Sequence, residues 1–208
     1  VETNQINILF DTGQGFSASH NANQMGVDLK LVDKIVLSHG HFDHTGGLKQ
    51  VLLDIGREIE VIAHPDIWAA KFNRPEGEEA RYIGIPFHRQ SLGARFNLSR
   101  EPMRISDNIM TTGAGLVVIL GCAHHGVINT LYRAQKLTGV KAIYAVYGGS
   151  HLINATEERV WLTIAALKEL GVQQLGLGHC TGLAASAIMA MEFGDRFLFN
   201  VAGTKVSL

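Results

Sequence analysis

Short apolar runs alternate along the chain with stretches whose apolar residues recur at helical spacing, the pattern of an α/β fold. The predicted strands are 6–10, 34–37, 59–63, 116–120, 142–146 and 174–177. Each of them ends in polar chemistry. Residues 6–10 lead into Asp11-Thr12-Gly13, residues 34–37 into Ser38-His39-Gly40-His41-Phe42-Asp43-His44, and residues 59–63 into His64. The later three lead through Gly121-Cys122-Ala123 to His124, through Tyr147-Gly148-Gly149-Ser150 to His151, and through Gly178 to His179-Cys180. A random scatter of the ten histidines would not place an Asp or His at the C-terminal end of every strand, so the pattern predicts strands ending on one edge of a sheet sandwich.

Three helices are predicted. In 156–170 the stripe is Val160, Trp161, Ile164, Leu167 and Leu170, with Asn154 and Glu157 as a capping pair and Gly171 as the stop. In 127–137 it is Val127, Ile128, Leu131, Ala134 and Leu137, stopped by Gly139. The third, 183–191, is rich in small residues, and its Met189 and Met191 read as core filler. Residues 66–105 look irregular and resemble a lid-like insertion. Arg74, Arg81, Arg89, Arg95, Arg100 and Arg104 interleave there with Trp68, Phe72, Tyr82, Phe87 and Phe96. Such a segment is either a solvated excursion or a lid that grips phosphate and stacks a flat ring, with Arg81, His88 and Arg89 as candidate substrate contacts.

At 208 residues, 46% hydrophobic and 18% charged, the chain suits a single domain with a sizeable core. A formal net charge of -1 gives no field that gathers nucleic acid or anionic membrane, so neither is an expected partner. No apolar run is long enough to span a bilayer, and no basic-then-apolar leader is present. Only Cys122 and Cys180 occur, which excludes a disulfide framework and makes a reduced, cytoplasmic setting the expectation. The chain starts without methionine and almost at once in a strand, as though earlier structure were missing from it.

The densest chemistry lies between His39 and His44, where three imidazoles and a carboxylate fall within six residues of a loop that follows a buried strand. Zinc, iron and manganese accept these donors, and the H-x-H-x-D-H spacing lets alternate side chains face two neighbouring ions. His64, followed by Pro65, reads as structural. Strand alternation would point Cys122 and Cys180 away from His124 and His179, as buried thiols.

Taken together, Asp11-Thr12-Gly13, the loop from His39 to Gly47, His124 and His179 resemble the metallo-β-lactamase superfamily across essentially the whole chain. Gly121-Cys122-Ala123-His124, Gly148-Gly149-Ser150-His151 and His179-Cys180-Thr181-Gly182 look like one branch of it. That branch contains the archaeal 7,8-dihydropterin-6-methyl-4-(β-D-ribofuranosyl)aminobenzene 5'-phosphate synthase and related metal-dependent hydrolases. The resemblance implies an αββα sandwich of two mixed β-sheets with outer helices. It also implies two divalent ions, zinc first, with iron, manganese and magnesium as alternatives. His39, His41 and His124 would hold one ion, and Asp43, His44 and His179 the other. Asp11 would orient the histidine loop from outside the ligand set. The chain departs from the superfamily at the fourth motif, where a bridging Asp is usual and Ser150-His151 stands instead. The chain also runs straight from Gly113 to Ala114, where the branch carries a longer loop, which predicts a lost active-site loop there.

The implied function is hydrolysis of a small, possibly phosphorylated substrate by a metal-bound hydroxide, with Asp43 and His151 as catalytic groups. The alternative is a pterin-type transferase, in which the ions hold a diphosphate leaving group. A flavin-linked di-iron protein is disfavoured, because such relatives carry Glu where this chain has His41. A nuclease role lacks any basic groove signature. Association into a homo-oligomer is left open.

Overall fold

The computed structural model describes residues 1–75, 77–100, 103, 105 and 116–207. The predicted loop at 113–114 therefore lies outside the described residues, as does Arg104. The chain divides into two compact units, residues 1–103 and 104–208.

Unit one contains strands β1 (Ile8–Phe10), β2 (Lys34–Val36), β3 (Glu60–Ala63), β4 (Phe72–Asn73), β5 (Arg81–Tyr82) and β6 (Arg95–Leu98). Its helices are α1 (Ser17–Gln24), α2 (Phe42–Thr45) and α3 (Leu48–Ile55). The main sheet runs β1-β2-β3-β6 with parallel neighbours, and β4 pairs antiparallel with β5. Parallel strands cannot be joined by tight hairpins, so helical crossovers link β1 to β2 and β2 to β3 and supply the core. Ile35 and Val61 from the sheet are fully buried with Leu48 and Val51. Leu48, Val51, Leu52 and Ile55 form one buried stripe of α3, and Gly56 ends the helix in a left-handed conformation (φ 70°).

Unit two contains β7 (Leu116–Ile119), β8 (Ile143–Gly148), β9 (Gln174–Leu177) and β10 (Phe197–Phe199), in the parallel order β10-β9-β8-β7. Helices α4 (Val127–Thr138), α5 (Glu157–Glu169) and α6 (Leu183–Phe193) are its crossovers. Leu131, Val146, Ile164, Leu167, Leu175 and Met189 belong to its core cluster.

All six expected strands form, with ends shifted by at most two residues. Several details differ. Strand β6 turns the last part of the supposed lid into an edge of the main sheet, because Phe96 and Leu98 alternate with exposed Arg95 and Asn97. Thr156, rather than Asn154, caps α5: its side chain accepts from the Arg159 amide. Trp161 lies off the buried stripe, 42% exposed, and its indole nitrogen donates to Glu157. Met189 is fully buried, but Met191 is 85% exposed and fills no core space. Among the described residues no helix is long and apolar enough to cross a membrane.

Candidate metal centre

In unit one the site begins where β1 ends. Asp11 has a left-handed backbone (φ 58°), which turns its side chain toward the loop after β2. Its carboxylate accepts from the Ser38 amide (2.7 Å), the Ser38 hydroxyl (2.6 Å) and His44 Nδ1 (2.7 Å). Behind it the buried Thr12 donates its amide and hydroxyl to the His44 carbonyl, and the Gly47 amide donates to Gly13. A Cβ at Gly47 would collide with the Thr12 carbonyl, and one at Gly40 with the Ile67 carbonyl. The glycines of this loop thus allow backbones to approach closely.

This network fixes the imidazole tautomers. The Ser38 hydroxyl donates to Asp11, so it accepts from His39 Nδ1 (2.9 Å). His39 Nε2 is left with its lone pair, and the bond from His44 Nδ1 to Asp11 leaves His44 Nε2 in the same state. His39 Nε2 lies 3.1 Å from His41 Nδ1, and His44 Nε2 lies 3.6 Å from Asp43 Oδ2. Two nitrogens on one tetrahedral zinc stand about 3.3 Å apart at ordinary Zn–N lengths. The donor spacings are therefore compatible with divalent-ion binding.

Unit two presents its donors from three strand ends. Gly149 donates to the Gly121 carbonyl, Gly178 to Gly148, and Ile153 to Cys180, so the loops after β7, β8 and β9 are tied together. The buried Ser150 reinforces this, its amide and hydroxyl both meeting the Thr181 hydroxyl (3.1 and 3.0 Å). The His151 ring lies 4.2 Å from that of His124, centroid to centroid. Ala123, His151 and His179 have left-handed backbones (φ 50°, 54° and 51°). With Asp11 these are the described non-glycine residues at positive φ, and all four sit in the expected site loops.

The expectation that Cys122 points away from the histidines is corrected. Alternation itself puts residues two apart on one face, and Cys122 sits close to both His124 and His179. Its thiol sulfur lies within 4.8 Å of a ring nitrogen of His124, and likewise of His179. Cys180 donates to the Cys122 carbonyl (3.6 Å). A hydrogen bond with the Cys122 thiol chiefly pulls the Cys180 thiol down to about 5; burial opposes this, and His151 and His179 support it.

The remaining candidates are placed differently. His64 caps the short helix Pro65–Trp68, its Nδ1 accepting from the Asp66 amide, a structural role. Arg81, His88 and Arg89 are exposed, and among the described residues no contact gathers them into a cluster. Arg89 lies over the Phe96 ring (5.2 Å), while Arg100 forks onto Asp66. The sequence assigns no role to Ser38 or to the Ser150–Thr181 pair, and it reads Cys122 as a buried thiol turned away from the ligands. The only signal for Ser38 and Ser150 was their place beside histidines.

The fold and these donors define a metallo-β-lactamase-type protein. The model of the metallo-beta-lactamase superfamily matches residues 1–199, and the chain belongs to that superfamily, whose members are enzymes built on the αββα fold that bind divalent metal. The chain is similar to the 7,8-dihydropterin-6-methyl-4-(beta-D-ribofuranosyl)-aminobenzene-5'-phosphate synthase of Methanocaldococcus jannaschii, at 34% identity, covering 95% of this chain and 83% of the relative. An uncharacterised protein of the same organism is 28% identical, covering 100% of this chain and 91% of its own length. Among solved structures, Tm1679, described as a metal-dependent hydrolase of the beta-lactamase superfamily, matches with a TM-score of 0.82 at 26% identity. That match covers 97% of this chain and 88% of the other.

Proposed function

We propose that the protein is a hydrolase dependent on two divalent ions, zinc first, acting on a small and possibly phosphorylated molecule. The observation that carries this is the pair of donor sets in unit one, His39 with His41 and Asp43 with His44, each spaced for one ion. In the family's arrangement His124 completes the first set and His179 the second. Two bound ions would acidify water and polarise the group under attack.

The chain's own residues do the rest. Asp11 holds protons on the outer nitrogens of His44 and, through Ser38, of His39, so that the inner nitrogens keep the lone pair that ligation needs. Asp43 adds a negative charge beside the imidazoles. His151, whose ring lies 4.2 Å from that of His124, would hold a proton for the leaving group. Arg81, His88 and Arg89 are exposed and available to an anionic substrate.

A second reading, transfer of a dihydropterin methyl group to a ribofuranosylaminobenzene phosphate with loss of diphosphate, is favoured by the 34% identical relative. Assays with p-nitrophenyl esters and phosphodiesters, run beside a dihydropterin diphosphate with a ribosylaminobenzene phosphate, separate the two. Whichever reaction appears, His41→Ala should lower it by more than the ~10–100-fold that changes outside a ligand set cost. Full activity in His41→Ala would remove that residue from the site. Protein purified with its metal should hold close to two ions by elemental analysis.

A further inference from the structure

We propose that Cys122 is itself a metal ligand, its thiolate sulfur binding beside His124 and His179. The proposal rests on the metal-centre reading above and adds a donor to it. Sulfur and nitrogen on a shared tetrahedral zinc stand about 3.6 Å apart at ordinary bond lengths. The Cys122 sulfur is within 4.8 Å of a nitrogen of each histidine, a gap that small ring rotations close. The residue is 5% exposed, so its sulfur faces the inside of the unit and not solvent.

Two further observations point the same way. Cys122 and His124 flank Ala123, whose left-handed backbone is the kind of uncommon conformation that collects at functional sites. The fourth motif, meanwhile, supplies no carboxylate: Ser150 is 2% exposed and its hydroxyl is committed to Thr181. Two divalent ions held by five imidazoles and Asp43 would carry a large uncompensated charge. A thiolate supplies one of the missing negative charges from a different strand end. On binding, the thiol proton leaves to solvent and the sulfur lone pair is donated to the ion. Cys180, hydrogen bonded to the Cys122 backbone, then stands behind the ligating residue and fixes its loop.

The test is cadmium titration of the whole metal-free protein, followed by the ultraviolet sulfur-to-metal charge-transfer band and by bound-metal analysis. The wild type and Cys180→Ser should show the band, and Cys122→Ser should lose it while keeping its circular dichroism spectrum and histidine-bound metal. Two bound ions in the wild type without the band would overturn the Cys122 assignment and leave the metal centre standing. A band that survives in Cys122→Ser and vanishes in Cys180→Ser would transfer the role to Cys180. Absence of any bound metal would overturn both the assignment and the reading beneath it. Should Cys122→Ser fail to fold, cobalt titration of the wild type supplies the same readout through its sulfur charge-transfer band, whose absence counts against the proposal.

Discussion

In unit one, four donors lie between His39 and His44 on a single loop, and a carboxylate from another strand end orients them. In unit two, Cys122, His124, His151 and His179 come from three strand ends, and the backbone orients them, with left-handed residues at or beside the donors. Each unit gathers its own donors, but the two hold them differently. Unit one relies on hydrogen bonds to Asp11, which one substitution can remove. Unit two relies on loops stitched main chain to main chain through glycines, where a side chain can be deleted without untying the loops. A Cβ at Gly148 would collide with the Leu120 carbonyl, and one at Gly149 with the Cys180 sulfur (2.6 Å).

Asp11→Asn tests the first half of this contrast most severely. The amide keeps the shape but puts a donor against Ser38 or His44, so metal affinity should fall by ~10–100-fold, measured by equilibrium dialysis. Wild-type affinity would mean that the loop is held by its glycine contacts alone. For the second half, His151→Gly and His151→Ala both delete the imidazole, and differ only in the Cβ. At φ 54° the Gly variant should be more stable in urea by about 1 kcal/mol, the reverse of the usual order. An Ala variant of equal or greater stability would show that the turn does not constrain position 151.

The smallest effect is expected away from both loops. Glu60, on β3, accepts from Lys34 (3.0 Å) and Asn97 (2.9 Å), and these bonds hold its carboxyl below the ordinary range against the opposing effect of burial. A depressed folded pKa means that this stabilisation is complete above the ordinary carboxylate pKa of about 4.3. It is lost as pH falls through the lower folded value. Glu60→Gln should cost no more than about 1 kcal/mol at neutral pH, and the difference from wild type should vanish in acid. A difference that persists in acid would assign the loss to packing.

Legibility followed the same division. The six strands and the loop from His39 to His44 could be read directly, because apolar runs and contiguous donors are local patterns. Strand β6 was hidden because an edge strand with one wet face shows only two apolar residues among arginines. Strand β10 was hidden as well, being three residues long and close to the chain's end. Helix α3 is eight residues long and starts just after the histidine loop, so its buried stripe spans little more than two turns. The expectation that Cys122 points away from His124 failed because alternation places residues two apart on the same face, not on opposite faces.

By itself, then, the sequence determined the α/β alternation, the delivery of Asp or His at each strand end and the donor types, since these depend on residue chemistry and local period. Only the tertiary structure decided which imidazole nitrogen keeps its lone pair, that Ser150 is committed to Thr181, and that Cys122 lies near His179. Those outcomes depend on hydrogen bonds between strand ends distant in sequence and on φ values at single residues, neither of which leaves a periodic mark along the chain.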